Sequence, residues 1–168
     1  MRHQFSTENQ TAAQKTYRAW QHNTPLCYRL IFNNHIATVN KRILDYGCGP
    51  DAKYVTRMLA LGMNAVGIDF GIPGSREMHL NPGQTYDIIV ASNVLNVMNN
   101  LPDLQGVIQE IHTYLAPAGQ AIANYPADPR KLGLSNAEML ALLQQRFSVT
   151  KIDKSLGKNN FVVLLTKK

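Results

Sequence analysis

Two rhythms of apolar residues alternate along this chain, and their order predicts an α/β protein. "RILDY" (42–46), "NAVGIDF" (64–70), "QAIANY" (120–125), "SVTKID" (148–153) and "NFVVLLTKK" (160–168) are short segments rich in apolar and β-branched residues. Such runs read as strands buried in a sheet. "YDIIVASNVLNVM" (86–98) reads as a further buried strand, then a polar tip, then the start of something helical. Between these runs the apolar positions repeat at helical spacing. "AKYVTRMLALG" (52–62) places Val55, Met58, Leu59 and Leu61 on one expected buried face, with Gly62 as its stop. "DLQGVIQEIHTYL" (103–115) places Leu104, Val107, Ile108, Ile111 and Leu115 on another, and "APAGQ" is expected to end that helix. "LSNAEMLALLQQRF" (134–147) predicts a helix with Ser135 as N-cap and Glu138 as its capping-box partner.

Two N-terminal helices are expected ahead of the first strand, over 8 to about 21 and 25 to about 39. The second is started by Thr24 and Pro25 and carries Leu26, Leu30, Ile31 and Asn34. "GIPGSREMHLNPGQTY" (71–86) is rich in turn residues and holds at most one short strand around "EMHL". Strands alternating with helices argue for a mostly parallel sheet with helices on both faces. The last two strands are joined by "KSLGKN", which is too short for a parallel crossover and predicts an antiparallel hairpin.

At 168 residues the chain has the size of one domain with one sizeable core. Seventeen Lys and Arg against eleven Asp and Glu leave a net charge of +6, which favours an anionic partner such as nucleic acid or a phosphorylated small molecule. The basic residues (Arg29, Lys41, Arg42, Lys53, Arg57, Arg130, Lys131, Lys151, Lys154) are spread along the chain, which suits a solvated surface equally well. Cys27 and Cys48 stand apart without a metal-ligand or disulfide pattern, and His35, His79 and His112 are scattered, so no metal is expected and a reducing cytoplasm fits. No signal peptide or membrane span is expected from the apolar runs.

The candidate chemistry centres on "ILDYGCGPDA" (43–52), a glycine turn leaving the first strand and entering a helix. In an open α/β sheet ligands sit beyond the carboxyl ends of the strands, and such a turn is expected to offer free backbone N–H groups at a positive helix end. Asp69 closes the next strand twenty residues after Gly49, where a carboxylate can accept from both hydroxyls of a ribose. A nucleoside ligand is therefore expected. Gly47, Gly49 and Ala52 also satisfy the G-x-G-x-x-[GA] dinucleotide fingerprint, which keeps a nicotinamide-binding module open. Asp45 weighs against it. A negative charge two residues before the first glycine is unfavourable beside a pyrophosphate and favourable beside an amine.

"ILDYGCGP" (43–50), "AVGIDF" (65–70), "YDIIVASNVLNVM" (86–98) and "YLAPAGQAIANY" (114–125) resemble, in order, the successive motifs of class I S-adenosylmethionine-dependent methyltransferases. The resemblance runs from about residue 40 to the end. It implies a Rossmann-like, mostly parallel seven-stranded sheet closed by an antiparallel hairpin. Residues 1–168 would form one methyltransferase-like domain, with 1–40 as a possible substrate lid carrying His3, Tyr17, Trp20, His22 and Tyr28. It further implies that Asp45 faces the amino group of the methionine moiety of S-adenosylmethionine and that Gly47, Cys48 and Gly49 pass their backbone along the cofactor. Asp69 would hold the ribose, next to Phe70, and Ala91, Ser92 and Asn93 would lie beside the transferring methyl group.

Two departures from the family pattern stand out. Asp51 occupies a position where a further glycine is common, and the segment between Asp69 and Asp87 is short. That segment leaves Arg76, Glu77, Met78 and His79 as contributors to an adenine pocket, with Ile72 or Met78 to cover the base. Methyl transfer from a sulfonium mainly requires an aligned nucleophile, so the catalytic candidates are polar residues able to position an acceptor: Asn93, Asn96, Asn124, Tyr125 and Asp128. Each also suits capping or turn hydrogen bonds. The acceptor is a small molecule or a nucleic acid. "ASNV" stands where amino-methylating DNA enzymes carry a D/N/S-P-P-aromatic tetrad. A cofactor-binding but inactive regulatory or partner subunit is the alternative.

Overall fold

The computed structural model describes residues 4–6, 24–70, 72–126, 131–152 and 160–168. The apolar runs fold as strands β1 (Arg42–Tyr46), β2 (Asn64–Ile68), β3 (Tyr86–Ala91), β4 (Leu115–Pro126), β5 (Phe147–Lys151) and β6 (Asn160–Lys167). The helices are α1 (Leu26–Phe32), α2 (Lys53–Ala60), α3 (Ser75–His79), α4 (Leu101–Tyr114) and α5 (Asn136–Gln144), with one 3₁₀ turn at Leu95–Val97. The six strands make one mixed sheet in the order β2-β1-β3-β4-β6-β5. β2, β1, β3 and β4 pair in parallel, while β6 runs antiparallel to both β4 and β5. The closing hairpin is as the short connection requires.

Alternate residues of each strand face opposite layers of helices. Ile43, Ile88, Val90 and Ile122 pack with Cys27, Tyr28 and Ile31 of α1 and with Val55 and Met58 of α2. Leu44, Ile89, Ala121 and Val163 pack with Leu104, Val107 and Ile111 of α4 and with Met139 and Leu143 of α5. Because both faces are covered, the central strands carry no simple polar alternation.

Several expectations are corrected. Six strands are described rather than seven, because the "EMHL" segment is the short helix α3. β1 lies between β2 and β3, so the chain leaving β2 must pass over β1 to reach β3. The segment is spent on that crossing and adds no edge strand. Leu59 and Leu61 are 54% and 58% exposed, so only Val55 and Met58 make the buried face of α2. Leu59 sits about 100° around the helix from Met58, and Leu61 is already the C-cap. The helix from residue 25 ends at Phe32, and Asn34 turns left-handed (φ 57°). "APAGQ" lies within β4, where the register against β3 jumps from Tyr86↔Leu115 to Ile88↔Gln120. The excess residues bulge out of the ladder. The helix expected over 8–21 lies outside the described residues.

The cap of α5 forms as the sequence indicates: Ser135 Oγ accepts from the Glu138 N–H (3.2 Å), and Glu138 Oε2 accepts from the Ser135 N–H (2.8 Å). On the α4 face, Tyr46 donates to Glu110 Oε2 (2.7 Å) and Arg76 forms an ion pair with the same carboxylate. The Arg76 guanidinium lies over the rings of Phe5 and Phe70, so this buried cluster ties α3, α4 and β1 to the segment at residues 4–6. Ser6 extends the tie by donating to Asp103 Oδ2 from its hydroxyl (2.7 Å).

Candidate functional site

Strand order and register gather the candidate residues at one edge of the sheet. β2 and β3 lie on opposite sides of β1, which creates a switch point at the carboxyl ends of β1 and β3. Asp45 pairs in register with Gly67 on one side and Val90 on the other, and Ala91 pairs with Ala123. Asp45, Asp69, the 92–93 tip and Asn124 therefore stand at the ends of four adjacent parallel strands.

The glycine turn is built tightly. Gly47 (φ 84°) and Gly49 (φ 77°) are both left-handed, and a Cβ on Gly47 would sit 2.6 Å from Val94 Cγ2. The expectation of free N–H groups does not hold for the turn's first three residues. The Gly47 and Cys48 N–H groups both donate to the Ile68 carbonyl (2.8 and 3.0 Å), and the Gly49 N–H donates to Asp69 Oδ2 (2.9 Å). The turn thus fixes the end of β2 and aims the Asp69 carboxylate back at β1. Ser75 braces Asp69 further, accepting from its N–H (3.1 Å) and donating to its carbonyl (3.0 Å). Asp51 is exposed, and it is Ala52 that adopts the left-handed conformation before α2 (φ 46°). The position demanding glycine-like freedom is therefore one residue beyond Asp51.

Asp45 is completely buried. Its Oδ1 accepts from the Tyr28 hydroxyl of α1 (2.7 Å), while Oδ2 is buried with no hydrogen-bond partner among the described residues. Burial pushes this carboxyl up to about 7; the Tyr28 hydrogen bond opposes that rise and the Asp69 charge adds to it. A buried polar atom left without a partner carries a desolvation cost of about 1–3 kcal/mol, more for a charge, so it needs a structural or functional reason. Tyr28 is held by its ring, stacked on Tyr54 of α2 at 3.9 Å. Burial, then the nearby Asp45 charge, keep its phenol protonated.

At the ends of β3 and β4, Asn93 and Asn124 form a reciprocal pair. The Asn93 N–H donates to Asn124 Oδ1 (2.6 Å), and Asn124 Nδ2 donates to Asn93 Oδ1 (2.7 Å). Asn93 is left-handed (φ 59°), a conformation asparagine tolerates better than most residues. Cys27 of α1 also donates to Asn124 Oδ1 (3.5 Å). Burial pushes its thiol up to about 12, so at neutral pH it is a donor and no nucleophile. Asn96 Oδ1 is buried without a partner among the described residues.

Other expected residues lie elsewhere. Tyr125 is buried on the α4 and α5 face and donates to the Leu134 carbonyl (3.0 Å), so its hydroxyl is spent holding the loop before α5. Cys48 is buried against Gly67, where a Cβ would come within 2.8 Å of its sulfur. Among the adenine candidates, Arg76 turns to Glu110, Met78 is 67% exposed, Glu77 is exposed, and Ile72 packs in the α1 and α2 core. Of these, Arg76 lies over Phe70, which itself packs on Phe5 at 4.5 Å. Of the lid aromatics only Tyr28 is described; His3, Tyr17, Trp20 and His22, like Asp128, fall outside the described residues. The Tyr28–Asp45 and Cys27–Asn124 bonds carried no sequence signal, since each joins α1 to a strand end chosen by the sheet.

An open α/β sheet with a glycine turn after its first strand, an acidic residue closing the neighbouring strand and polar residues at its switch point has the methyltransferase architecture. The chain belongs to the methyltransferase-domain family, whose model matches residues 13–165. That match also displaces the nicotinamide-binding reading. No curated protein matches the chain significantly. Among solved structures, a TehB-like SAM-dependent methyltransferase from Corynebacterium glutamicum is 19% identical with a TM-score of 0.67, covering 95% of this chain and 98% of that one. The N-methyltransferase NodS from Bradyrhizobium japonicum, solved with S-adenosyl-L-homocysteine, is 12% identical with a TM-score of 0.61, covering 93% and 98%. The CcbJ methyltransferase from Streptomyces caelestis is 11% identical with a TM-score of 0.68, covering 96% and 98%. These likenesses establish a shared fold. No helix among the described residues is long and apolar enough to cross a membrane.

Proposed function

We propose that this methyltransferase takes its methyl group from S-adenosylmethionine and delivers it to a small-molecule acceptor at the crevice between the ends of β1, β3 and β4. The observation that carries the reading is the unpartnered Oδ2 of buried Asp45 beside the glycine turn, an acceptor placed where the donor's amino group would bind. Asp45 would hold that amino group, the backbone of Gly47, Cys48 and Gly49 would run along the ligand, and Asp69 would take the ribose hydroxyls beside Phe70. When bound, S-adenosylmethionine supplies a methyl group activated by a sulfonium.

The chain's own part is orientation. Ala91, Ser92 and Asn93 end β3 beside the reacting end of the site, and the Asn93–Asn124 pair fixes that tip through both side chains. A rigid tip of this kind holds an acceptor in line, which is the main requirement of transfer from a sulfonium. Asn96 would add a hydrogen-bond acceptor. A small molecule is favoured over nucleic acid because "ASNV" offers no proline-aromatic grip for a flipped base.

Calorimetric titration with S-adenosylhomocysteine and with NAD tests the cofactor, and incubation with labelled methyl donor and separate pools of metabolites, nucleic acid and protein tests the acceptor. Binding of S-adenosylhomocysteine alone, weakened at least tenfold by Asp69→Ala, with label entering the metabolite pool, is the expected result. Selective NAD binding would sink the proposal. Cofactor binding without transfer to any pool would favour a regulatory subunit.

A further inference from the structure

We propose that Tyr28 is a positioning residue for cofactor binding: its hydroxyl holds the Asp45 carboxylate so that Oδ2 is presented to the amino group of the methyl donor, which makes α1 part of the cofactor site. The inference rests on the proposed use of S-adenosylmethionine and extends it to a residue outside the glycine turn. Its basis is geometric. Tyr28 and Asp45 are 3% and 0% exposed, their hydrogen bond is 2.7 Å, and the phenol ring is fixed face to face on Tyr54. With Oδ1 taken by the phenol, the second oxygen is the only one left to accept from a ligand.

The arrangement has a measurable consequence, because the Asp45 carboxyl titrates near neutrality while it lacks its second partner. The groups around it are Tyr28 and Cys27 on α1, Tyr54 on α2, Cys48 in the turn and Asp69 at the end of β2. Burial raises both thiols and both phenols above their ordinary values, so they remain protonated, and the nearby Asp69 carboxylate adds to the rise of Asp45. Among the described residues no cation contributes to the shift of Asp45, so an ammonium ligand brings an opposite charge to it. It binds the ionised form and drives the proton off. Affinity therefore rises with pH up to about 7 and then levels. A carboxyl at about 7 releases about 0.9 proton per ligand bound at pH 6 and about 0.1 at pH 8.

The test is calorimetric titration of the full-length protein with S-adenosylhomocysteine from pH 5.5 to 8.5, in buffers of different ionisation enthalpy so that released protons are counted. Wild type is expected to release the protons given above. Tyr28→Phe keeps the ring stacked on Tyr54 and removes the donor that opposes the rise of Asp45, so its affinity midpoint moves up by about one pH unit. That shift means about fivefold weaker binding at pH 7 and little change at pH 8.5. Asp45→Asn abolishes the pH dependence and weakens binding above pH 7. An equal loss of affinity for Tyr28→Phe at every pH, with the midpoint unmoved, would show a purely structural tyrosine and overturn the inference. Proton-free binding by wild type at pH 6 overturns it without recourse to any variant. Absence of S-adenosylhomocysteine binding at all pH values refutes the cofactor reading itself, an outcome distinct from pH-independent binding.

Discussion

Asp45→Asn should make the ligand-free protein more stable above neutral pH, although it removes a residue from the site. The carboxyl is raised from 3.8 in the ordinary state to about 7 in the fold, so the folded chain binds this proton more tightly than the unfolded chain does. Stability from this group is then present below the unfolded value and declines as pH rises from about 4 to about 7, after which it is level. At 1.36 kcal/mol per unit, a rise of about three units costs the ionised protein about 4 kcal/mol in all, of which about 3 kcal/mol is lost between pH 5 and pH 8. Asparagine keeps an acceptor for the Tyr28 hydroxyl and carries no charge, but it leaves an amide N–H without a partner. That orphan offsets about 1–3 kcal/mol and does so at every pH. Chemical denaturation of both proteins at pH 5 and pH 8 isolates the effect. The stability difference between them should shift toward the variant by about 3 kcal/mol on going to pH 8. His79 and His112, both lowered by burial, act in the opposite direction below pH 7, but they do so in both proteins and cancel in the subtraction. A difference that stays flat across this range would refute the reasoning, since it would mean that Asp45 is ionised and compensated in the ligand-free fold.

Three further substitutions probe the frame of the site. Gly47→Ala forces a side chain into a left-handed residue 2.6 Å from Val94 Cγ2, and a loss of about 2 kcal/mol in urea unfolding is expected, with weaker S-adenosylhomocysteine binding. Ala52→Gly relieves the left-handed alanine ahead of α2 and should raise stability by about 1 kcal/mol in the same assay. Glu110→Gln leaves the Arg76 guanidinium without its buried counter-charge and is expected to cost about 3 kcal/mol, seen as a lowered thermal midpoint.

The residues that the sheet gathers at the candidate site were legible where their signals are local. The turn "GCGPDA", Asp69 at the end of the next strand and the polar tip after "DIIVA" each declare themselves by residue type and spacing. The capping box of α5 needed only Ser135 and Glu138, three residues apart. The reading failed where a local pattern met a topological demand. "EMHL" alternates like a strand, yet the crossing over β1 used it as a helix, and Asp51 drew attention as a missing glycine while the left-handed residue is Ala52. The turn's N–H groups were expected to face a ligand, but they serve the Ile68 carbonyl and Asp69, because closing the switch point requires the turn to be tied to β2.

The sequence by itself determined the kind of sheet, the place of the glycine turn and the identity of the two acidic residues, since periodicity and turn chemistry depend on residues close along the chain. Only the tertiary structure decided what those acidic residues touch. Asp45 meets Tyr28 seventeen positions away, and Asn124 meets Asn93 thirty-one positions away. Both meetings depend on strand order and on α1 packing over the β1 face, and the burial they produce sets the proton affinity of Asp45. A charge removed from water and given one partner instead of two is a property of the assembled fold, and no motif in the chain encodes it.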